Sequence, residues 1–354
     1  MRATFLLLIS SFLLSCSSEA QIYPNRNWAL NQNPALDGWR DTERSTFMRY
    51  IIDSTNVTGL VIIHKGKIVF EYGDTEENSY IASCRKSILA ILYGKYVENG
   101  QINLDKSLGE LKIEDHAPLL EIEKSATIKD VISARSGVFL PGSNGGDFRR
   151  LAPKRGSVKP GSYWLYSNWD FNLAGYIFEK ETKKNIYDEI EKQLVLPLQM
   201  QDWNRSLQLK NGNLEVSKFP AYHIWFSTRD MARVGLLMLR KGKWKDTQVI
   251  PKEWVKEMVT QRTSYQEAQK NAPILKEDGL DLGYGYMWWL IENTDDNKLK
   301  NAYSAQGALG QNITVYPEID VVLAFKTKSE YQRRNSIQTQ MKLIRKAVEI
   351  YNPN

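Results

Sequence analysis

Histidine and cysteine are scarce in this 354-residue chain, which has three of the first and two of the second. Cys16 and Cys84 cannot build a CxxC pair or a four-cysteine zinc site. His64, His116 and His223 are widely scattered, and no HExxH occurs. The GxSxG elbow is absent, as are the GxxxxGK[ST] and GxGxxG loops that cradle nucleotides. No metal and no cofactor is therefore expected. A hydrolase made from these residues needs a base other than histidine and an electrophile other than zinc.

With one internal cysteine there is no disulfide framework, so stability must come from a packed core, which a chain of this length can build. Lysine plus arginine number 47 and aspartate plus glutamate 41, leaving a formal charge of +6. The basic residues fall in short separate clusters: Arg149-Arg150, Lys183-Lys184, and Arg240 with Lys241, Lys243 and Lys245. No basic stripe is interleaved with aromatics, so these read as solvated faces and no nucleic-acid partner is expected.

Long apolar runs are also missing. The run from Phe5 to Leu14 falls far short of the roughly 20 residues a spanning helix needs. Behind Arg2 it fits the hydrophobic region of a signal peptide. Leu13-Leu14-Ser15-Cys16 resembles a bacterial lipobox, which implies a signal over residues 1–16 and a lipid on Cys16. Ser17, by the same resemblance, favours the outer membrane. The expectation is an exported lipoprotein facing the periplasm or the cell surface and held to the membrane by that lipid. Plain secretion with cleavage after Ala20 is the alternative. Residues 17–36, rich in Ser, Asn, Gln and Pro, read as a tether.

Past the tether, 38–53 has helical spacing of apolar residues, and 60–72 reads as a hairpin around Lys65-Gly66-Lys67. A helix is expected over 83–99, ending at Asn99-Gly100. Residues 101–260 read mostly as helices and loops, with helices near 126–135, 169–182, 185–194, 227–241 and 251–260. The polar stretch 261–282 reads as a flap over a cleft. Strands return at 284–291, 302–307, 311–316 and 320–326, and a helix at 336–351 closes the chain. The order implies an α/β (α+β) fold: an antiparallel sheet flanked by helices and built from both chain ends (about 37–82 and 283–354), with a mostly helical subdomain (about 83–282) inserted. The cleft between the two parts is the expected site.

Ser83 and Lys86 stand three residues apart at the start of the helix after the hairpin, so their side chains share one face. Serine needs a base to become a nucleophile, and a lysine serves if burial lowers its pKa. An SxxK match is weak alone, since 25 serines and 29 lysines give about two by chance in this length. A capping serine beside an exposed lysine is the plain alternative. Two further segments add weight. Tyr166 and Asn168 sit in Pro160–Asn168 just before a helix; a loop tyrosine can relay a proton, and Asn168 could hold the lysine or a substrate amide oxygen. Ala305–Gln311 places small residues on a strand where a substrate backbone can approach, and a backbone N–H there could pair with that of Ser83 as an oxyanion hole.

These three pieces, in this order, resemble the serine β-lactamase and penicillin-binding-protein superfamily in its class C-like branch. So do Ile102–Asp105, Thr127–Val138, Phe226–Arg233 and Gly283–Tyr286, so that the resemblance spans about residues 38–350. It implies that Ser83 is acylated, Lys86 is the general base and Tyr166 the proton relay, that Asn168, Gln306 and Gly307 contact substrate, and that Ser83 and Ala308 donate their N–H groups to the oxyanion. It also implies a β-lactamase/transpeptidase-like fold over 37–354. The third motif departs from the family: Ala305-Gln306-Gly307 stands where Lys-Thr-Gly or His-x-Gly is usual. The branch also holds esterases and aminohexanoate-oligomer hydrolases, whose third motifs likewise lack the lysine. An esterase or amidase acting on a small ester, amide or peptide is thus expected, with a D,D-peptidase or β-lactamase, or a non-catalytic cell-wall-peptide-binding protein, as alternatives. Trp164, Trp169, Tyr222, Trp225, Trp288 and Trp289 could line an apolar pocket, though most read as core, and His223 reads as structural.

Overall fold

The computed structural model describes residues 21–277, 279–328 and 333–353. The proposed signal and Cys16 lie outside them. The elements used below are α1 (Asp41–Ser54), β1 (Gly59–His64), β2 (Lys67–Gly73), β3 (Ser79–Tyr80), α2 (Cys84–Glu98) and α3 (Asn168–Thr182). There follow β4 (Ala221–His223), β5 (Trp225–Phe226), α4 (Thr228–Leu239), α5 (Tyr265–Asn271), β6 (Asp281–Tyr284) and β7 (Trp289–Glu292). Strands β8 (Tyr303–Gly307), β9 (Gln311–Tyr316) and β10 (Val321–Lys326) precede the last helix, α6 (Ile337–Glu349).

Seven strands form one antiparallel sheet in the order β2-β1-β10-β9-β8-β7-β6. The first hairpin therefore docks on the last strand, with Gly59 opposite Lys326 and His64 opposite Val321. Its turn needs left-handed backbone at both Lys65 (φ 49°) and Gly66 (φ 80°), as a tight hairpin does. All six residues of β1, β9 and β10 are buried, so the middle of the sheet is covered on both faces. Helix α4 crosses it so closely that a Cβ on Gly235 would meet Val322 at 2.4 Å. From α6, Met341, Leu343, Ile344, Ala347 and Val348 are buried, and the Tyr316 hydroxyl donates to the Ile344 carbonyl at 2.8 Å.

Between the two chain ends lies the mostly helical part. Helix α2 is at its centre, with every residue from Cys84 to Gly94 buried. From Ile88 to Tyr93 the helix is apolar all round and belongs inside, and its burial carries Lys86 into the interior with it.

Three expectations change. The run 284–291 is not one strand but the hairpin β6–β7, with Tyr284 opposite Trp289. Gly285 and left-handed Met287 (φ 57°) make the turn; a Cβ at Gly285 would meet the Met258 carbonyl at 2.1 Å. The turn is buried because Met258 O and Ser87 Oγ satisfy its polar groups, so its sequence reads as apolar as a strand. The stretch 261–282 is not a loose flap. It contains α5 and the start of β6, Ala268 and Ala272 are buried, and Arg135 pairs with Glu267. Residues 21–36 are not a free tether, because Arg233 donates to the Asn25 and Arg26 carbonyls and lies 5.3 Å from the Trp28 ring. Leu30 also bridges to Ile68 on the sheet edge.

Candidate active site

Strand β3 pairs with β5 and delivers the chain to the first turn of α2. Ala82, the last residue before Ser83, is left-handed at φ 48°, a conformation that costs an alanine about 1–3 kcal/mol. Local strain immediately before a half-buried serine marks the point where the chain is bent to present that side chain.

Lys86 lies one helical turn on and is 1% exposed. Its Nζ donates to Ser83 Oγ at 2.9 Å and to Tyr166 Oη at 2.7 Å. The amine also sits over the rings of Tyr166 and Phe171, at 4.2 and 4.5 Å. Lys86 forms no ion pair among the described residues. Burial, reinforced by the neighbouring Arg85 charge, pushes its pKa well below the ordinary ammonium value. Burial moves the Tyr166 phenol the other way, upward. Both shifts favour the neutral forms, an amine and a phenol.

Tyr166 is fixed by its neighbours. Its ring stacks on Trp289 at 5.5 Å and 24°, and Phe171 lies 4.8 Å away. Asn168 opens α3 but does not touch the lysine. Its Nδ2 donates to the Gly145 carbonyl at 2.8 Å, while its buried Oδ1 has no partner. The Asn168 N–H meets Asp147 Oδ2 at 2.8 Å, an acid at a helix N-terminus, where it is favoured. Asn168 thus ties loop 144–147 to the helix beside the site.

The third motif is the end of β8. Gly307 faces the segment that leads into Ser83 so closely that a Cβ there would meet the Ile81 carbonyl at 2.9 Å. Gln306 is half-buried and donates to Ser304 Oγ at 2.8 Å. Ala308 follows in the exposed turn. Among the described residues, the N–H groups of Ser83 and Ala308 donate no hydrogen bond. Ala305, at the usual cation position, is fully buried.

Of the aromatics, Trp164, Trp169, Trp288 and Tyr222 are core. Trp225 is half-buried and, with Tyr80 and His223, forms a cluster at ring separations of 4.9, 5.3 and 6.1 Å along β3, β4 and β5. Burial first, and then Arg85, push the His223 pKa down to about 4, so it is a neutral imidazole at pH 7. Cys84 is fully buried, burial raises its pKa, and its Sγ faces the Gln311 carbonyl at 3.5 Å; it is an inert thiol beside Ser83. Phe171, Arg85 and Asp147 are site neighbours that sequence spacing did not single out, and Trp289, expected only as pocket lining or core, is the ring that stacks on Tyr166.

Residues 52–346 match the family described as Beta-lactamase. Fold and match together define a serine hydrolase. The chain belongs to the beta-lactamase family, in its class C-like branch. A solved structure from Bacillus anthracis, assigned as a 6-aminohexanoate-dimer hydrolase, is 16% identical with a TM-score of 0.67, over 93% of this chain and 87% of that one. A penicillin-binding protein homolog from Caulobacter crescentus is 13% identical with a TM-score of 0.63, over 92% and 99%. EstCE1, a hydrolase with promiscuous acyltransferase activity, is 14% identical with a TM-score of 0.61, over 88% and 98%. At these identities the likeness is one of fold.

Proposed function

We propose that this chain cleaves an ester or amide bond of a small molecule through a covalent acyl-enzyme on Ser83. The observation that carries this reading is the buried Lys86 amine, hydrogen-bonded at once to Ser83 Oγ and Tyr166 Oη and in no ion pair among the described residues. In the neutral form it takes the Ser83 proton as Oγ attacks the substrate carbonyl. The oxyanion that forms is held by the Ser83 and Ala308 N–H groups. When the C–O or C–N bond breaks, the proton passes from Lys86 through Tyr166 to the leaving group. Water then attacks the acyl-enzyme, giving its proton back along the same path, and the acid leaves with Ser83 restored.

Ester or amide substrates are favoured over β-lactams because Ala305 and Gln306 offer no cation for a β-lactam carboxylate. The aromatic cluster of Tyr80, His223 and Trp225, three residues upstream of Ser83 at Tyr80, suits an apolar acyl or leaving group. A panel of p-nitrophenyl esters, oligoamides and a chromogenic cephalosporin, run on wild type and Ser83→Ala, tests this. Turnover of the first two classes and its loss in the variant is expected; hydrolysis unchanged in Ser83→Ala contradicts it.

The lipobox-like Leu13–Cys16 supports a second part of the proposal: export, with a lipid anchor at Cys16. Radiolabelled palmitate should enter the wild type and not Cys16→Ala; equal labelling would refute the anchor.

A further inference from the structure

Arg85 stands between nucleophile and base in sequence, and the chemistry above gives it no step. It is 1% exposed. One guanidinium nitrogen donates to Asn172 Oδ1 at 2.8 Å, and the group lies 4.4 Å over the Tyr222 ring. Helix α3 clamps that ring from another side, since a Cβ on Gly175 would meet Tyr222 Cδ1 at 2.5 Å. The other terminal nitrogen, Nη1, is buried with no partner. Arg85 forms no ion pair among the described residues. Arg85 is therefore a buried positive charge without a counter-ion among the described residues.

Burying a charge without a counter-ion is costly, so stability does not account for it. The groups around Arg85 do not cancel it. Burial raises the phenols of Tyr80, Tyr187 and Tyr222, and lowers His223, so all four are neutral at pH 7. Around Lys86 stand Ser83 at the N-cap of α2, Cys84 from α2, Tyr166 and Phe171 from the other wall, and Asp147 from loop 144–147. Cys84 is kept a thiol by burial. Asp147 works against Arg85, but it is half-buried and already receives the Asn168 N–H at the head of α3.

We propose that Arg85 is a positioning residue that acts by charge: held without a counter-ion between Asn172 and Tyr222, it opposes a second positive charge on Lys86 and so sets the pH at which Ser83 becomes reactive. This rests on Lys86 being the base for Ser83. It also offers a reason why the site can do without a cation at Ala305, because positive potential reaches the lysine–tyrosine pair from α2 instead.

The test is the pH dependence of Ser83 inactivation by a fluorophosphonate, followed by intact mass, in wild type and Arg85→Gln. Thermal melts at each pH establish that the variant is folded. The acid limb of the inactivation rate should move up by about one pH unit, so the rate falls about fivefold at the wild-type midpoint and about tenfold well below it, and recovers at higher pH. A limb in the same place, or a loss of rate equal at every pH, overturns the proposal. Should Arg85→Gln not fold, Asn172→Asp sets a carboxylate beside the guanidinium while keeping the shape, and the same upward move is expected; an unmoved limb again overturns it. The two readings fail differently. Wild-type Ser83 that never labels at any pH refutes the acyl-enzyme itself, whereas labelled Ser83 with an unmoved limb refutes only the role of Arg85.

Discussion

Changing Tyr166 to phenylalanine removes one oxygen from the site and leaves the ring. The stack on Trp289 at 5.5 Å and the contact with Phe171 at 4.8 Å need only that ring. What is lost is the 2.7 Å hydrogen bond from Lys86, and the amine keeps Ser83 Oγ at 2.9 Å. One hydrogen bond is worth about 0.5–1.5 kcal/mol net, so stability should change by about 1 kcal/mol. Losing a proton relay costs far more in rate, about 10²–10⁴-fold in kcat, or about 3–5 kcal/mol of barrier. The loss should depend on the leaving group. An alkyl ester or an amide needs the relayed proton, whereas p-nitrophenolate leaves without one. With the alkyl ester, kcat should fall by the full factor at nearly unchanged KM. With the p-nitrophenyl ester, acylation should survive while deacylation slows, giving a burst of one nitrophenolate per enzyme followed by a slow phase. Stopped-flow absorbance and urea melts measure both. A variant with wild-type kcat on the alkyl ester and no burst would refute the relay.

Lys86→Met should abolish hydrolysis and flatten the pH dependence of stability. The folded amine has a depressed pKa, so between that value and the ordinary lysine range the unfolded chain binds the extra proton and wild-type stability climbs with pH. The urea midpoint of Lys86→Met relative to wild type should therefore be highest near neutral pH and shrink toward pH ~10; a pH-independent difference contradicts a neutral Lys86. Asp115 is held the opposite way: burial raises its pKa, but donors from Lys218, Ser217, Trp169 and His116 outweigh that and hold it below the usual range. Its stabilisation is present above pH ~4 and lost as pH falls through the folded value. Asp115→Asn should cost about 2–3 kcal/mol at pH 7 and less in acid, by calorimetry; no loss at pH 7 would contradict this. Turnover of a chromogenic cephalosporin should be slow or absent, since no cation stands at Ala305, and rapid turnover would refute the role given to that departure.

Much of this was legible because it is local. Lys65-Gly66 announces a hairpin, alternating and β-branched runs announce the strands, and i, i+3 spacing puts Ser83 and Lys86 on one face. That one sheet is built from both chain ends, and the family likeness, were legible from the order of segments. What was not legible depends on tertiary neighbours. The turn at Gly285–Met287 reads as strand because α2 and Met258 supply its hydrogen bonds from elsewhere. Residues 21–36 and 261–282 read as loose from their polarity, yet Arg233 and Arg135 capture them through contacts across the chain. The Asn168 amide makes no hydrogen bond to the lysine and donates to the Gly145 carbonyl, a partner that its spacing from Tyr166 did not show. Phe171 under the amine and the charge on Arg85 carry no spacing signature, and Trp289, named as an aromatic of the cleft, gave no sign that it stands behind the phenol. They become neighbours only when α2, α3 and β7 are packed together.

The acyl-enzyme is the centre of the proposed chemistry, and intact mass spectrometry after treatment with a fluorophosphonate tests it most directly. A single adduct that maps to Ser83, and is absent from Ser83→Ala, is the expected result. An unmodified protein, or an adduct that persists in Ser83→Ala, would contradict it.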